Sequence, residues 1–131
     1  MKTLGLRHVA LNVHDAQASK RFYTEFFGME IEWEPDPKSV YLTSAGQDNL
    51  ALHQTDLEFD GSRGIGLDHI GFMMSSIQDV DFAFEKASQQ GIEIVKEPKQ
   101  HRDGAYSFYL KDPDGYVVQV IYHPPVSGHN N

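Results

Sequence analysis

The chain of 131 residues contains no cysteine. Disulfides and thiolate metal ligands are thereby excluded, and the absence suits a reducing compartment. Also missing are any apolar run long enough to span a bilayer and any basic-then-apolar opening of the kind a secretory leader needs. Basic residues are scarce: 11 Lys and Arg face 19 Asp and Glu, a net charge of −8 with His neutral. That balance argues against nucleic acid or an anionic membrane as partner. Hydrophobic residues at 40% and charged residues at 23% describe a chain that packs a core rather than one that stays disordered. The expectation is a single soluble, cytoplasmic domain of ordinary size.

What the sequence does have is a repeat. Residues 6–13 read LRHVALNV and residues 67–74 read LDHIGFMM, each with His third, a β-branched residue next and a small one after it. The two His are separated by nearly half the chain, so duplication has to be considered before any other organisation. After the first copy comes Asp15, a good helix cap, and then AQASKRFYTEFFG, where Phe22 with Phe26 and Tyr23 with Phe27 fall on one helical face. After the second come Ser76 and Asp79, a capping-box-like pair, and an apolar stripe of Val80, Phe84 and Ala87 that Gly91 closes. Helices are expected near 16–27 and 77–90.

The text beyond each glycine is nearly the same, GMEIEWEP at 28–35 and GIEIVKEP at 91–98, and reads as a short strand ended by Glu-Pro. Two hairpin strands follow in each half: SVYLTS (39–44) with NLALHQT (49–55), and YSFYLK (106–111) with YVVQVIY (116–122). The turns are AGQD at 45–48 and DPDG at 112–115. Each half is therefore strand, helix, strand, strand, strand. The fold class is α+β, with one βαβββ module at about 4–55, a linker rich in Gly and acid at about 56–66, a second module at about 67–123 and a loose tail at 124–131.

Strand alternation puts Val9, Leu11 and Val13 on one face, His8, Ala10 and Asn12 on the other. In the second copy His69 shares its face with Gly71 and Met73. The apolar faces must cover the helices, which leaves each His on the open face beside a small residue. The last strand of each half then offers His53 and Gln119 to that face, at positions read as corresponding. Three imidazoles and an amide oxygen suit a borderline divalent ion such as Zn, Ni, Fe or Mn. Any one such His is more commonly a satisfied polar residue on a half-exposed sheet. Three at repeated places favour a site.

With His8 and His69 opening the halves, and with FYTEFFGME (22–30) and SFYLKDPDGY (107–116), the chain resembles the vicinal oxygen chelate superfamily. That superfamily includes glyoxalases, fosfomycin- and bleomycin-resistance proteins, methylmalonyl-CoA epimerases and extradiol dioxygenases, and the resemblance runs over nearly the whole chain. It implies two modules forming a curved, mostly antiparallel eight-stranded cup, with one divalent metal held by the first and last strands of each module. Carried over residue by residue, the ligands would be His8, His53, His69 and Gln119. It also implies a homodimer and a small-molecule substrate whose adjacent oxygens chelate the ion.

Gln119 departs from the pattern, because the family usually has Glu there, both as ligand and, in glyoxalases, as base. An amide coordinates through oxygen but takes no proton. Glyoxalase-like lyase or isomerase chemistry with Zn or Ni is the first expectation and extradiol dioxygenase chemistry with Fe the second. An antibiotic-resistance protein or a non-catalytic binder on the same fold is the alternative. The basic loop Lys96, Lys99, His101 and Arg102 is a candidate for steering an anionic substrate, although charged loops are more commonly solvated surface. Arg102, Tyr106 and Tyr109 are the candidate substrate-binding residues. His14, His101, His123 and His129 have no partner by pattern and read as surface. Trp33 and Phe59 are candidates for a dimer contact or a pocket rim.

Overall fold

A computed structural model of the protein describes residues 1–58 and 66–124. Phe59, His129, most of the linker and most of the tail lie outside the described residues. The chain divides into two compact units, Met1–Asp60 and Gly61–Asn131.

In the first unit the order is β1 (His8–Val13), α1 (Ala16–Glu25), β2 (Glu30–Asp36), β3 (Ser39–Thr43) and β4 (Asn49–Gln54). The strands form one sheet in the order β1-β4-β3-β2, with β1 parallel to β4 and the other pairs antiparallel. The second unit repeats this with β5 (Ile70–Met73), α2 (Ile77–Gln89), β6 (Ile94–Gln100), β7 (Tyr106–Lys111) and β8 (Val117–Tyr122), in the order β5-β8-β7-β6. The parallel pair follows from the helix, which carries the chain back to the end of the sheet from which it left. The fold is thus two βαβββ modules, mostly antiparallel, as the repeat implies.

Local chemistry sets the helix ends. The Asp15 carboxylate accepts from the amides of Gln17 and Ala18 at 3.0 and 3.1 Å, and Ser76 Oγ accepts from Asp79 at 3.1 Å. Such caps contribute about 1 kcal/mol each. Gly28 and Gly91 take φ of 71° and 72°, the left-handed conformation that turns the chain off the helix. Over them the amides of Met29 and Ile92 reach back to the carbonyls of Tyr23 and Ala87, at 3.1 and 3.0 Å.

Each helix covers the apolar face of its own sheet. Leu11, Val13, Tyr23, Val40, Leu42, Leu50 and Leu52 are buried in the first unit. Val80, Ala87, Phe108, Leu110, Val118 and Val120 are buried in the second, where Phe84 meets Phe108 edge-on at 5.4 Å. Each large apolar side chain so buried contributes about 1.5–3 kcal/mol.

One expectation is corrected. The strands after Gly28 and Gly91 do not stop at Glu-Pro: β2 runs to Asp36 past Pro35, and β6 to Gln100 past Pro98. Both are the last strand of their sheet. A proline there can turn its missing N–H outward without breaking a ladder, and the register slips at both places.

Candidate functional site

In the second unit, pairing across the sheet runs Lys96 to Tyr109, Tyr109 to Gln119 and Gln119 to Gly71. These residues therefore share the face away from α2. Gln119 donates its amide hydrogens to two hydroxyls, Tyr109 Oη at 3.0 Å and Ser107 Oγ at 3.2 Å. Ser107 is buried and lies 3.1 Å from His101 Nε2. With the nitrogen so committed, Oε1 points to Gly71, where an added Cβ would stand 3.5 Å from it. The small residue that the repeat singled out beside His69 is what leaves this oxygen uncovered.

His69 sits just before β5 and packs edge-on against Tyr109, ring centroids 5.4 Å apart. Its Nδ1 lies 2.6 Å from Asp68 Oδ1. An ionised carboxylate only accepts, so Nδ1 donates and the neutral ring keeps its lone pair on Nε2. His69 and Gln119 thus meet around Tyr109 with an imidazole nitrogen and an amide oxygen unspent. Lys96 Nζ stands 5.5 Å from the centre of the Tyr109 ring, a cation beside the same group.

In the first unit His8 pairs with Asn49, Ala10 with Ala51 and Asn12 with His53. His8 Nδ1 lies 2.6 Å from Asn49 Oδ1, again leaving Nε2 uncommitted. His53 meets Tyr41 edge-on at 5.7 Å.

This register corrects the reading that His53 and Gln119 correspond. Gln119 pairs with Gly71, whose counterpart Ala10 pairs with Ala51, so the counterpart of Gln119 is Ala51. His53 lies two residues further along and matches Ile121. A slip of two residues keeps the face, and alternation cannot detect it. It also puts His53 about 13 Å along the strand from the partner of His8. That exceeds the span two imidazoles cover with metal–nitrogen bonds of about 2 Å.

Other expected residues are also placed differently. Tyr106 shares the helix-side face with Phe108, and its hydroxyl donates to Asp81 of α2 at 2.5 Å. That bond, with some desolvation, raises its pKa. Tyr106 is therefore not on the Gln119 face, because an odd separation from Tyr109 reverses the side. Arg102 lies exposed in the turn between β6 and β7. His101 is exposed as expected but has a partner, joining the Ser107–Gln119 network, and His123 Nε2 lies 3.6 Å from Asp103. Asn49 and Ser107 were not singled out by the sequence, since only cross-strand register reveals their partners, and Asp68 was not, although it adjoins His69 in the chain. Among the described residues, no group of three or more His, Cys, Asp or Glu is placed to hold a metal ion. The second unit offers one imidazole and one amide oxygen, two members of a donor set suited to a borderline divalent ion.

A family model described as the Glyoxalase/Bleomycin resistance protein/Dioxygenase superfamily matches residues 5–120. The virulence protein STM3117 of Salmonella typhimurium is 32% identical over an alignment of 122 residues that covers 86% of this chain and 80% of that protein. Its crystal structure matches with a TM-score of 0.71 at 28% identity, over 94% of this chain and 99% of that one. The lactoylglutathione lyase GLX1 of Arabidopsis thaliana is 30% identical over an alignment of 125 residues that covers 90% of this chain but 44% of the plant protein. The crystal structure of lactoylglutathione lyase from Agrobacterium tumefaciens has a TM-score of 0.74 at 21% identity, covering 93% and 96% of the two chains, a likeness of fold.

Proposed function

Because the chain belongs to the Glyoxalase/Bleomycin resistance protein/Dioxygenase superfamily, we propose that it is a metal-dependent enzyme acting on a small substrate with vicinal oxygens. The reaction is of the glyoxalase-like lyase or isomerase kind. The ligands are His69 and Gln119 of the second module, and His8 is the corresponding imidazole of the first. The observation that carries this reading is the pair around Tyr109: Nε2 of His69 has its lone pair fixed outward by Asp68, and Oε1 of Gln119 lies uncovered beside Gly71. A divalent ion held there would act as a Lewis acid on adjacent substrate oxygens.

The chain's own groups then define what else it does. Gln119 takes no proton, so it orients and does not act as base. The Tyr109 hydroxyl accepts from Gln119 and keeps its own proton to offer a substrate oxygen. Lys96 brings positive charge beside Tyr109, which favours a substrate carrying an anionic group. Such a substrate meets a donor set without carboxylate, so its negative charge is not opposed by the ligands.

A second reading, a non-catalytic binder on the same face, draws on the neutral Gln119 and on the lack of a grouped His, Cys, Asp or Glu trio among the described residues. Elemental analysis of protein purified without added metal separates the readings. About one equivalent of Zn or Ni per chain is expected; Fe would favour dioxygenase chemistry instead, and no metal would favour the binder.

A further inference from the structure

His8 is held by a side chain whose own orientation is dictated by a third. Asn49 Oδ1 lies 2.6 Å from His8 Nδ1, and Asn49 Nδ2 lies 2.7 Å from Glu32 Oε1. An ionised carboxylate only accepts, so the amide must turn its NH2 to Glu32 and its oxygen to His8. An amide oxygen also only accepts, so His8 must donate from Nδ1. In the neutral ring the lone pair is then on Nε2. We infer that Glu32 and Asn49 are positioning residues that fix the Nδ1–H tautomer of His8 and so present Nε2 as its only cation-binding atom. The purpose of the relay rests on the proposed metal reading, but its geometry does not.

Backbone irregularity delivers the carboxylate. Ile31 pairs with Leu42 and Trp33 with Tyr41, so Glu32 is the extra residue of a β-bulge. Regular alternation would put Ile31 and Trp33 on one face. Here Leu42 belongs to the helix side with Leu50, and Tyr41 to the open side with Ala51. The bulge reverses the side between them and re-aims Glu32. Asn49 receives it from a position directly opposite His8. The relay therefore starts at the edge strand β2, passes over β3 and ends on β1.

The second module has a bulge at the equivalent place, where Ile94 pairs with Leu110 and Lys96 with Tyr109, but its extra residue is the apolar Val95. There the neighbouring Asp68 acts on His69 Nδ1 directly. Two imidazoles at repeated positions thus receive the same tautomer by different means. A bland surface hydrogen bond would not produce that agreement, whereas a shared demand for an outward Nε2 does.

Imidazole in water favours the Nε2–H form, so the tautomer of His8 is a readout that a merely structural contact would leave alone. Long-range nitrogen–proton correlation spectra of the full-length, metal-free chain, at a pH where the ring is neutral, should show Nδ1–H at His8. Glu32→Gln lets the Asn49 amide turn either way, and Asn49→Leu removes the acceptor; both should shift His8 toward Nε2–H. Asn49→Asp keeps an acceptor and should keep Nδ1–H. Zinc titration should show binding weakened roughly 10- to 100-fold by Glu32→Gln and Asn49→Leu, and retained in Asn49→Asp. Nε2–H in the unmodified protein, or one tautomer throughout the series, overturns the relay. Tautomers that move as expected in proteins that never bind zinc would uphold the relay and overturn the metal reading.

Discussion

Gln119 is the residue at which this chain departs from the Glu that its resemblance to the superfamily implies. Its amide nitrogen is already satisfied by Ser107 and Tyr109, both hydroxyls that can reverse their roles. Gln119→Glu should therefore fold without an orphaned group, because the hydroxyls turn to donate to the new carboxylate. An anionic oxygen binds a divalent ion better than an amide, so zinc affinity should rise by roughly tenfold or more, about 1.4 kcal/mol. His69→Ala removes an imidazole outright and should lose more than the roughly 10–100-fold typical of an outer partner. His53→Ala, remote by register, should match the unmodified protein. Isothermal titration of metal-free forms with zinc checks the order. A weaker Gln119→Glu, or a His53→Ala that loses binding, would place the ligands elsewhere. The open faces that carry His8 and Gln119 were legible in the sequence because repetition and alternation fix faces. Glu32, Asn49 and Ser107 were not, because a hydrogen bond between strands depends on which residues oppose each other, and a shift of two leaves every face unchanged; Asp68 adjoins His69, but adjacency alone does not say that its carboxylate turns to Nδ1.

At the level of elements, both helices were legible from Asp15, Ser76, Gly28 and Gly91, whose local chemistry needs no tertiary partner. The extent of β2 and β6 was not, since a proline stops a strand in mid-sheet but not at an edge, and a sequence does not say which strand is last. What ties β2 back to its helix is a polar cluster. Glu34 accepts from Lys20 Nζ at 3.1 Å and from Gln17 Nε2 at 3.2 Å, and these two partners hold its pKa below the ordinary 4.5. A carboxyl depressed by folding binds more protons in the unfolded chain, so stability increases with pH across the window below about 4.5 and is constant above it. Glu34→Gln should flatten that acid limb and change little at neutral pH. Denaturant midpoints measured from neutral pH downward test this. An unchanged acid slope would mean that the cluster forms without contributing to stability.

For the molecule as a whole, the open question is what covers the edge of the first sheet. β2 ends that sheet, and on it Ile31 and Trp33 are 51% and 59% exposed. No helix among the described residues is long and apolar enough to take such a surface across a membrane. An edge strand bearing large apolar side chains invites another chain, and a symmetric dimer is the ordinary result. Charge opposes it, since each copy carries −8, and repulsion between like-charged copies falls as salt screens it. The expectation is therefore a homodimer whose affinity rises with salt, the reverse of an association driven by opposite charges. Sedimentation equilibrium should give twice 14.8 kDa at micromolar concentration. Because Trp33 is the only tryptophan, its fluorescence reports the β2 edge alone: emission should shift to the red on dilution, in step with dissociation. A monomer at micromolar concentration refutes the dimer. A dimer that dissociates without moving the Trp33 spectrum would assign the contact to another surface and leave the β2 edge bare.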